Sequence, residues 1–211
     1  MSIPSQATAR VTSTHSNGIK HYANYYLRHK LVGTRSWYDN GQIETEFPYR
    51  KGVWHGVHKV WHRNGRLFQR VPYVNGKEHG IIQTWDQIGR LLDSYRMSHG
   101  TGALRFWADS YSLTHGSRKR PRFFDRIKCP WHLSMEMNLL HRVKHGPTRF
   151  WKGKRLVAEH HFQYGRRYGV WRAWDKRGRL ERGYPLYFLR GAQVTKRQYL
   201  KAQKTNPSLP Q

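Results

Sequence analysis

Fourteen histidines and twelve acidic residues are the side chains of this sequence best suited to metal binding or acid–base catalysis. Zinc requires His, Cys or carboxylate ligands at fixed spacing, and acid–base catalysis requires titratable groups held in a pocket. A side chain that recurs at one place in a repeat usually serves structure, so we interpret the histidines that directly precede a glycine as turn or edge residues with local hydrogen bonds. These histidines are His55, His79, His99, His115 and His145.

The remaining histidine groups lack the context of a metal site. His55, His58 and His62 lie close together in the sequence, and His160 is followed directly by His161. Neither group has a cysteine partner or a helical HExxH pattern. We therefore predict no metal site.

Two acidic groups could act in catalysis or in ion pairing. Glu44 and Glu46 are two residues apart on a predicted strand, which places both on one face next to the basic pair Arg50 and Lys51. We expect them to form exposed ion pairs with those cations.

We interpret three further residues that could take part in catalysis as non-catalytic. Asp86 and Asp175 directly follow tryptophans of the repeat, and we predict that each caps its turn. Cys129 is the single cysteine, and without an identifiable base it is expected to be an inert thiol. The sequence therefore predicts a protein with no catalytic residues and no cofactor.

Charge is the most unusual property of the chain. It has 39 Lys and Arg against 12 Asp and Glu, a net charge of +27 and a pI near 10.8. Residues 1–105 carry +9 and residues 106–211 carry +18. Such self-repulsion is tolerated next to a polyanion or on an extended surface, so we expect an anion-binding surface in the C-terminal half.

The cations of that half form clusters that coincide with predicted turns. Stacked hairpins would bring these turns to one edge as a positive stripe, which would contact phosphates with steep salt dependence. The clusters comprise Arg118, Lys119, Arg120 and Arg122; Lys152, Lys154 and Arg155; Arg166 and Arg167; and Lys176, Arg177 and Arg179.

Tryptophans divide into two sets. Those in the repeat register are predicted to form the core, one in each hairpin: Trp37, Trp61, Trp85, Trp107, Trp151 and Trp174. Trp54, Phe150 and Trp171 fall outside this register. We expect these three to be exposed and able to stack on unpaired bases.

All of these residues are positioned by an internal repeat, which is clearest in the stretch 56–80. Gly56, Trp61, Gly65 and Leu67 recur 24 residues later at 80, 85, 89 and 91, and again at 169, 174, 178 and 180. A period of this length indicates stacked supersecondary units. Each unit is predicted to be a hairpin, with a two-residue type I′ turn at Asn64 and Gly65.

The repeats divide the chain into five predicted segments. These are a disordered tail over 1–17, repeats over 18–105, a degenerate repeat with a basic insertion over 106–145, repeats over 146–191, and a capping helix and tail over 192–211. Thr195 with Gln198 forms a capping box, which predicts a helix from about residue 196 to residue 204. The predicted fold is all-β, an elongated single-layer antiparallel sheet of stacked hairpins with this short C-terminal helix.

The repeat units YDNGQIETEFPYRKGVWHG, HRNGRLFQRVPYVNGKEHG and DKRGRL resemble the MORN-repeat variant found in bacterial proteins of the YwqK antitoxin type. The resemblance covers roughly 33–105 and 146–191. It implies antiparallel hairpins stacked into a curved sheet, and a binding or scaffolding role without catalysis.

Together these features predict a non-enzymatic scaffold that binds a polyanion, namely the backbone of RNA or DNA or a ribonucleoprotein. Two alternatives remain open at this point, an antitoxin-like module that binds an acidic protein and a peripheral protein on anionic lipid. No small-molecule substrate is expected. The absence of an apolar leader or membrane span and the single cysteine favour the cytoplasm.

Overall fold

The computed structural model describes residues 2–109 and 131–211, and nearly all of its regular structure is β-strand. The described chain divides into two compact units, residues 2–100 and residues 101–109 with 131–211. The predicted all-β fold of stacked antiparallel hairpins with a short C-terminal helix is confirmed. Its strands form two sheets, one in each unit.

The first unit is a sheet of ten antiparallel strands in the order β1-β2-β3-β4-β6-β7-β9-β10, with β5 paired to β4 and β8 to β7. Strands of six to eight residues form the sheet, and the two-residue strands β5 and β8 return the chain from each hairpin to the next. The strands are β1 Thr8–Thr14, β2 Lys20–Leu27, β3 Lys30–Trp37, β4 Ile43–Arg50, β5 Val53–Trp54, β6 Gly56–Trp61, β7 Leu67–Val74, β8 Lys77–Glu78, β9 Gly80–Trp85 and β10 Leu91–Met97.

The second unit is a sheet of seven antiparallel strands in sequence order, followed by a helix. The elements are β11 Gly102–Asp109, β12 Trp131–Leu140, β13 Val143–Lys152, β14 Arg155–Gln163, β15 Arg166–Ala173, β16 Leu186–Leu189, β17 Ala192–Val194 and the helix α1 Lys196–Thr205. Trp174 and Leu180 add an isolated antiparallel bridge beyond the end of β15.

Two kinds of turn alternate along the repeats. At Asn75 and Gly76 both φ angles are positive, +49° and +78°, as a two-residue type I′ turn requires. At the other end of the hairpin the loop is longer: the Gly65 N–H donates to the His62 carbonyl at 2.9 Å, and only Gly65 has a positive φ, +82°. The type I′ turn predicted at Asn64 and Gly65 is therefore wrong. The bulge between Val60 and Trp61 leaves room for a type I turn followed by a left-handed glycine.

Side chains of these longer turns connect successive repeats. The side chain of the first turn residue donates a hydrogen bond to the backbone carbonyl of the tryptophan in the next repeat. The side-chain amide of the third turn residue, an asparagine, donates a hydrogen bond to a backbone carbonyl in the next turn. The first set is His15 to Trp37 at 2.7 Å, Tyr38 to Trp61 at 2.8 Å and His62 to Trp85 at 3.0 Å. The second set is Asn17 to Asp39, Asn40 to Arg63 and Asn64 to Gln87, at 2.8 to 3.0 Å. The period of 24 residues is the spacing of this ladder.

In two turns the first residue is an aspartate, which accepts hydrogen bonds within its own turn instead of donating one to the next repeat. Asp86 Oδ1 accepts the N–H groups of Ile88 and Arg90 at 3.0 and 2.9 Å. Asp175 Oδ1 accepts those of Arg177 and Arg179 at 2.8 and 3.0 Å. The predicted turn-capping role of both aspartates is confirmed.

The N-terminal segment is ordered. The prediction of a disordered tail over 1–17 is wrong, because Thr8–Thr14 forms β1 and pairs with β2. Its run of threonines with Val11 suits a strand, and β2 offers an edge to pair with. Ile3 is buried and lies over Gly33, where an added Cβ would come within 2.3 Å of Ile3 Cγ1.

The predicted C-terminal helix is confirmed, with the capping box between Thr195 and Gln198. Its buried Tyr199 packs with Val170 of β15 and with Leu209, and its hydroxyl donates to the Pro210 carbonyl at 2.6 Å. The helix thus covers one face of the last strands. Within the described residues, no helix is long and apolar enough to cross a membrane.

The repeat tryptophans differ in burial. Trp37 is 5% exposed, as predicted for a core residue. The other five lie beside hairpin ends and are only half-buried, so the prediction of one fully buried tryptophan per hairpin is too simple. These five are Trp61, Trp85, Trp107, Trp151 and Trp174.

Candidate functional site

A ladder of alternating charges crosses the second sheet. The residues that face one another on five neighbouring strands are Arg105, Glu136, Arg149, Glu159 and Arg172. Arg105 Nε lies 2.9 Å from Glu136 Oε2, and Arg149 Nε lies 2.7 Å from Glu159 Oε2. Arg149 also approaches Glu136 at 3.6 Å, and Arg172 approaches Glu159 at 3.9 Å. Both glutamates of this sheet are therefore paired with arginines on neighbouring strands of the same sheet.

The local field keeps Glu159 ionised. Burial alone would raise the pKa of its carboxyl group, but hydrogen bonds from Arg149 and His161 and the charges of those groups hold the pKa below its usual value. Burial in turn lowers the pKa of His161, against the opposing effect of Glu159. At neutral pH the Glu159 side chain is thus a carboxylate held between Arg149 and Arg172.

Replacing Glu159 with glutamine is expected to lower the free energy of unfolding by about 2 kcal/mol. The change removes the carboxylate partner of Arg172 and the nearer of the two carboxylates beside Arg149. The value is reduced from that of a fully buried pair because the Glu159 side chain is 17% exposed. Urea unfolding at pH 7 measures it. The matched control is Glu181→Gln at an exposed position, with an expected change below about 0.5 kcal/mol. Equal effects of the two changes would contradict a stabilising role for the ladder.

The first sheet contains a shorter version of this arrangement. Glu46 is 4% exposed, and its Oε2 lies 2.6 Å from Arg35 Nη2 on the neighbouring strand. Glu44 instead accepts a hydrogen bond from Ser36 at 3.1 Å. The predicted exposed ion pairs with Arg50 and Lys51 are therefore wrong, because cross-strand register determines the partner of Glu46.

Internal pairing of the acidic residues leaves the surface of the second unit strongly positive. Residues 131–211 contain 18 Lys and Arg against 4 Asp and Glu, a net charge of +14. Fifteen of the 18 cations are exposed, and of the four acids two belong to the ladder and Asp175 caps its own turn. Little negative charge remains on this surface to balance the cations.

Two of the predicted basic clusters meet at one end of the sheet. Lys152, Lys154 and Arg155 surround the turn between β13 and β14, and the loop after β15 carries Lys176, Arg177 and Arg179. Arg155 donates to the Asp175 carbonyl, and the Trp174 N–H donates to the Val157 carbonyl at 2.9 Å, so the two turns are neighbours. We call these six cations the first basic edge.

Arg166 and Arg167 lie at the opposite end of β14 and β15. The prediction that all clusters share one edge is therefore wrong, because successive turns of antiparallel hairpins lie on opposite edges. There the Gly165 N–H donates to the Lys144 carbonyl at 2.8 Å, and the Gly191 N–H donates to the Arg167 carbonyl at 2.9 Å. The cations grouped by these contacts form the second basic edge, namely Arg142, Lys144, Arg166, Arg167 and Arg190.

The predicted cluster Arg118, Lys119, Arg120 and Arg122 lies outside the described residues. Its flanking strands are β11 and β12, whose ends Asp109 and Trp131 face each other. This end of the sheet is also that of the first basic edge, since Met135 of β12 pairs with Phe150 of β13.

The three aromatic residues expected at the surface are half-buried and packed against other rings, so the prediction that they are exposed is wrong. Trp54 lies 5.1 Å from Phe47, and its Nε1 donates to the Tyr49 hydroxyl at 3.1 Å. Trp171 stacks on His160 at 4.1 Å, and the same histidine contacts Phe150. Stacked strands bring off-register aromatics together into ring clusters.

The glycine-preceding histidines contact neighbouring repeats. His55 Nδ1 accepts the Asn75 N–H at 3.3 Å, and His79 Nδ1 accepts the His99 N–H at 3.3 Å. Both histidines do accept a backbone hydrogen bond, but the prediction that it is local is wrong, because the donor lies in a turn 20 residues further along the chain. His115 lies outside the described residues. In the described part of the chain no group of three or more His, Cys, Asp or Glu side chains could hold a metal ion.

Sequence reasoning overlooked three cations of the second basic edge, Arg142, Lys144 and Arg190. The type I′ turn after β16 contains Arg190 and Gly191, and its copy is Asn75 with Gly76. Aligning the short turns as well as the long ones would have revealed this edge. Comparison with known proteins adds no assignment, since neither a family model nor a curated protein matches the chain.

Proposed function

We propose that this protein is a non-enzymatic scaffold of the cytoplasm that binds the phosphate backbone of nucleic acid, free or within a ribonucleoprotein. The observation that carries the proposal is the placement of exposed cations on neighbouring turns, while the glutamates of the sheet are engaged internally. The MORN-like resemblance agrees with a binding role. The partner that we propose is nucleic acid, whereas a protein of the antitoxin type would bind another protein.

The geometry of stacked turns suits a linear polyanion. Turns on one edge are separated by two strands, roughly 10 Å. A DNA duplex carries about six phosphate charges over that length, so each turn of the first basic edge can face several phosphates. Lysine and arginine on such turns contact the backbone without reading bases, which predicts affinity with little sequence preference.

Binding is expected to weaken steeply with salt, because each phosphate contact releases condensed counterions. Fluorescence anisotropy with a labelled 20-nucleotide RNA and a 20-base-pair duplex, from about 50 to 300 mM salt, measures this dependence. The combined change Lys152→Gln, Lys154→Gln, Lys176→Gln and Arg177→Gln is expected to lower affinity at least about tenfold at 100 mM salt. The slope of log affinity against log salt should become shallower by about two to four.

A matched control removes four exposed cations from the first unit: Lys30→Gln, Lys51→Gln, Lys77→Gln and Arg96→Gln. Its net charge equals that of the first variant, and we expect less than about a threefold loss of affinity. Equal losses would show that net charge, and not the first basic edge, governs binding. Absence of binding at 50 mM salt would refute the proposal, and co-sedimentation with phosphatidylserine vesicles without RNA binding would favour the lipid alternative.

A further inference from the structure

The second basic edge contains a recess of about 320 Å³. Its lining combines three guanidinium groups with two phenol rings and one amide: Arg166, Arg167, Arg190, Tyr164, Tyr168 and Gln163. Among the described residues, no acidic side chain lines it. The volume is at the lower end of the range for small-molecule sites, so it suits one nucleotide or a group of similar size.

Tyr164 is the unusual member of this lining. Its side chain is 68% exposed, whereas every other tyrosine in the described residues is at least half-buried. It occupies the first position of a type I′ turn with φ of +47°, where an asparagine or glycine would be less strained. The equivalent positions in the first unit are Lys51, Asn75 and His99, none of which has so large an aromatic ring. A large ring held in a strained, exposed position suggests a use beyond folding.

The Tyr164 ring is oriented by its neighbours. It meets the His145 ring at 69°, with centroids 4.7 Å apart, and the Tyr164 backbone N–H donates to His145 Nδ1 with an N-to-N distance of 3.4 Å. These contacts hold the ring in place and leave most of the tyrosine surface in solvent. Such a ring is suited to stack with a second flat group.

The guanidinium groups occupy adjacent turns. Arg167 lies over the rings of Trp171 and Phe188, with its central carbon 5.2 and 5.5 Å from their centroids. A Cβ on Gly191 would lie 3.8 Å from Arg166 Cβ, so the turn that carries Arg190 packs beside Arg166. Arginine presents a planar set of donors that matches the oxygens of a phosphate group.

From this juxtaposition we infer that the recess binds one unpaired nucleotide, with its base stacked on Tyr164 and its phosphate held by Arg166 and Arg190. The inference rests on the proposed binding of nucleic acid. It adds that the protein prefers single-stranded over double-stranded nucleic acid. Bases within a duplex are stacked on each other and offer no free face, whereas each unpaired base does.

The test compares three probes with the full chain at 100 mM salt: a 12-nucleotide RNA, a 12-nucleotide DNA and a blunt 12-base-pair duplex. The variant Tyr164→Asn keeps a residue favoured in this turn and removes the ring. It is expected to weaken binding of the single strands about tenfold, to change duplex binding less than about twofold, and to leave the salt slope unchanged. Tyr164→Phe keeps the ring and is expected to bind as the wild type does.

Arg190→Gln provides a second variant with a different signature, because loss of one phosphate contact should make the salt slope shallower by about one. Single-strand preference that is lost in Tyr164→Asn and retained in Tyr164→Phe supports the inference. Equal, salt-sensitive binding of all three probes overturns it while the proposed function stands. If no probe binds, both this inference and the proposed function are refuted. Melting temperatures equal to that of the wild type would show that the variants are folded.

Discussion

Trp37→Ala is expected to lower the free energy of unfolding by about 3–5 kcal/mol, the range for truncating a buried aromatic ring. Trp37 is 5% exposed, and the Lys20 ammonium lies 4.8 Å from its ring centroid. Removal of the ring leaves a cavity beneath this contact. Urea unfolding at pH 7 measures the loss, and Trp37→Phe, which keeps one aromatic ring, should lose less.

Trp61 provides the internal comparison, because it holds the same place in the next repeat and is only half-buried. Trp61→Ala is expected to cost about 1–3 kcal/mol, since part of the ring stays in water in the folded state. The Trp61 carbonyl still accepts the Tyr38 hydroxyl, so the ladder between turns is unaffected. A larger loss for Trp61→Ala than for Trp37→Ala would contradict the difference in burial.

Local sequence signals correctly predicted much of the architecture. Thr195 with Gln198 predicts the start of α1, and the placement of Asp86 and Asp175 after a tryptophan predicts their turn caps. Each of these features depends on residues within four positions of one another. Short-range chemistry of this kind can be read directly from a sequence.

Features that depend on strand register were missed. Arg105 and Glu136 are 31 residues apart and become partners only because β11 pairs with β12 in one register. The same limitation misassigned the partner of Glu46. A shift of one residue would place each side chain on the opposite face, and the sequence does not specify bulge positions well enough to determine this.

The basic composition of the clusters predicts which cations belong to the candidate site, but it predicts only in part which end of the sheet each cluster occupies. Lys152 and Lys176 do share an edge, whereas Arg166, predicted on the same edge, lies at the other end of its strand. Counting strand lengths between clusters would have separated them, since β14 spans the nine residues Arg155–Gln163. The long-turn repeat does not point to Tyr164, whose short turn is instead equivalent to that of Asn75 and Gly76.

Acidification is expected to destabilise the first unit through His58. The imidazole stacks on Phe47 at 3.7 Å, the Tyr73 ring lies 6.3 Å away, and Nε2 is buried without a hydrogen-bond partner. Burial lowers the pKa of His58 from 6.5 to about 4. The folded state therefore disfavours the charged imidazole.

The sign of the pH effect follows from these pKa values. Below pH 6.5 the unfolded chain takes up a proton at His58 that the folded chain binds only near pH 4. The stability contributed by neutral His58 is thus fully present above pH 6.5 and is lost as the pH falls toward 4, by at most about 3 kcal/mol. Other groups also titrate in this range, so a variant is needed to isolate the histidine.

His58→Ile is the suitable variant, because Ile82 occupies the corresponding place two residues after Gly80 and is fully buried. We expect stability at pH 7 to be unchanged within about 1 kcal/mol, and the loss between pH 7 and 4.5 to be smaller than in the wild type by about 2 kcal/mol. His29→Asn, at an exposed turn whose positive φ suits asparagine, is the control and should retain the wild-type pH profile. Urea unfolding across this pH range measures all three proteins, and parallel profiles for wild type and His58→Ile would contradict the assignment, since an apolar side chain cannot bind the proton responsible for the difference.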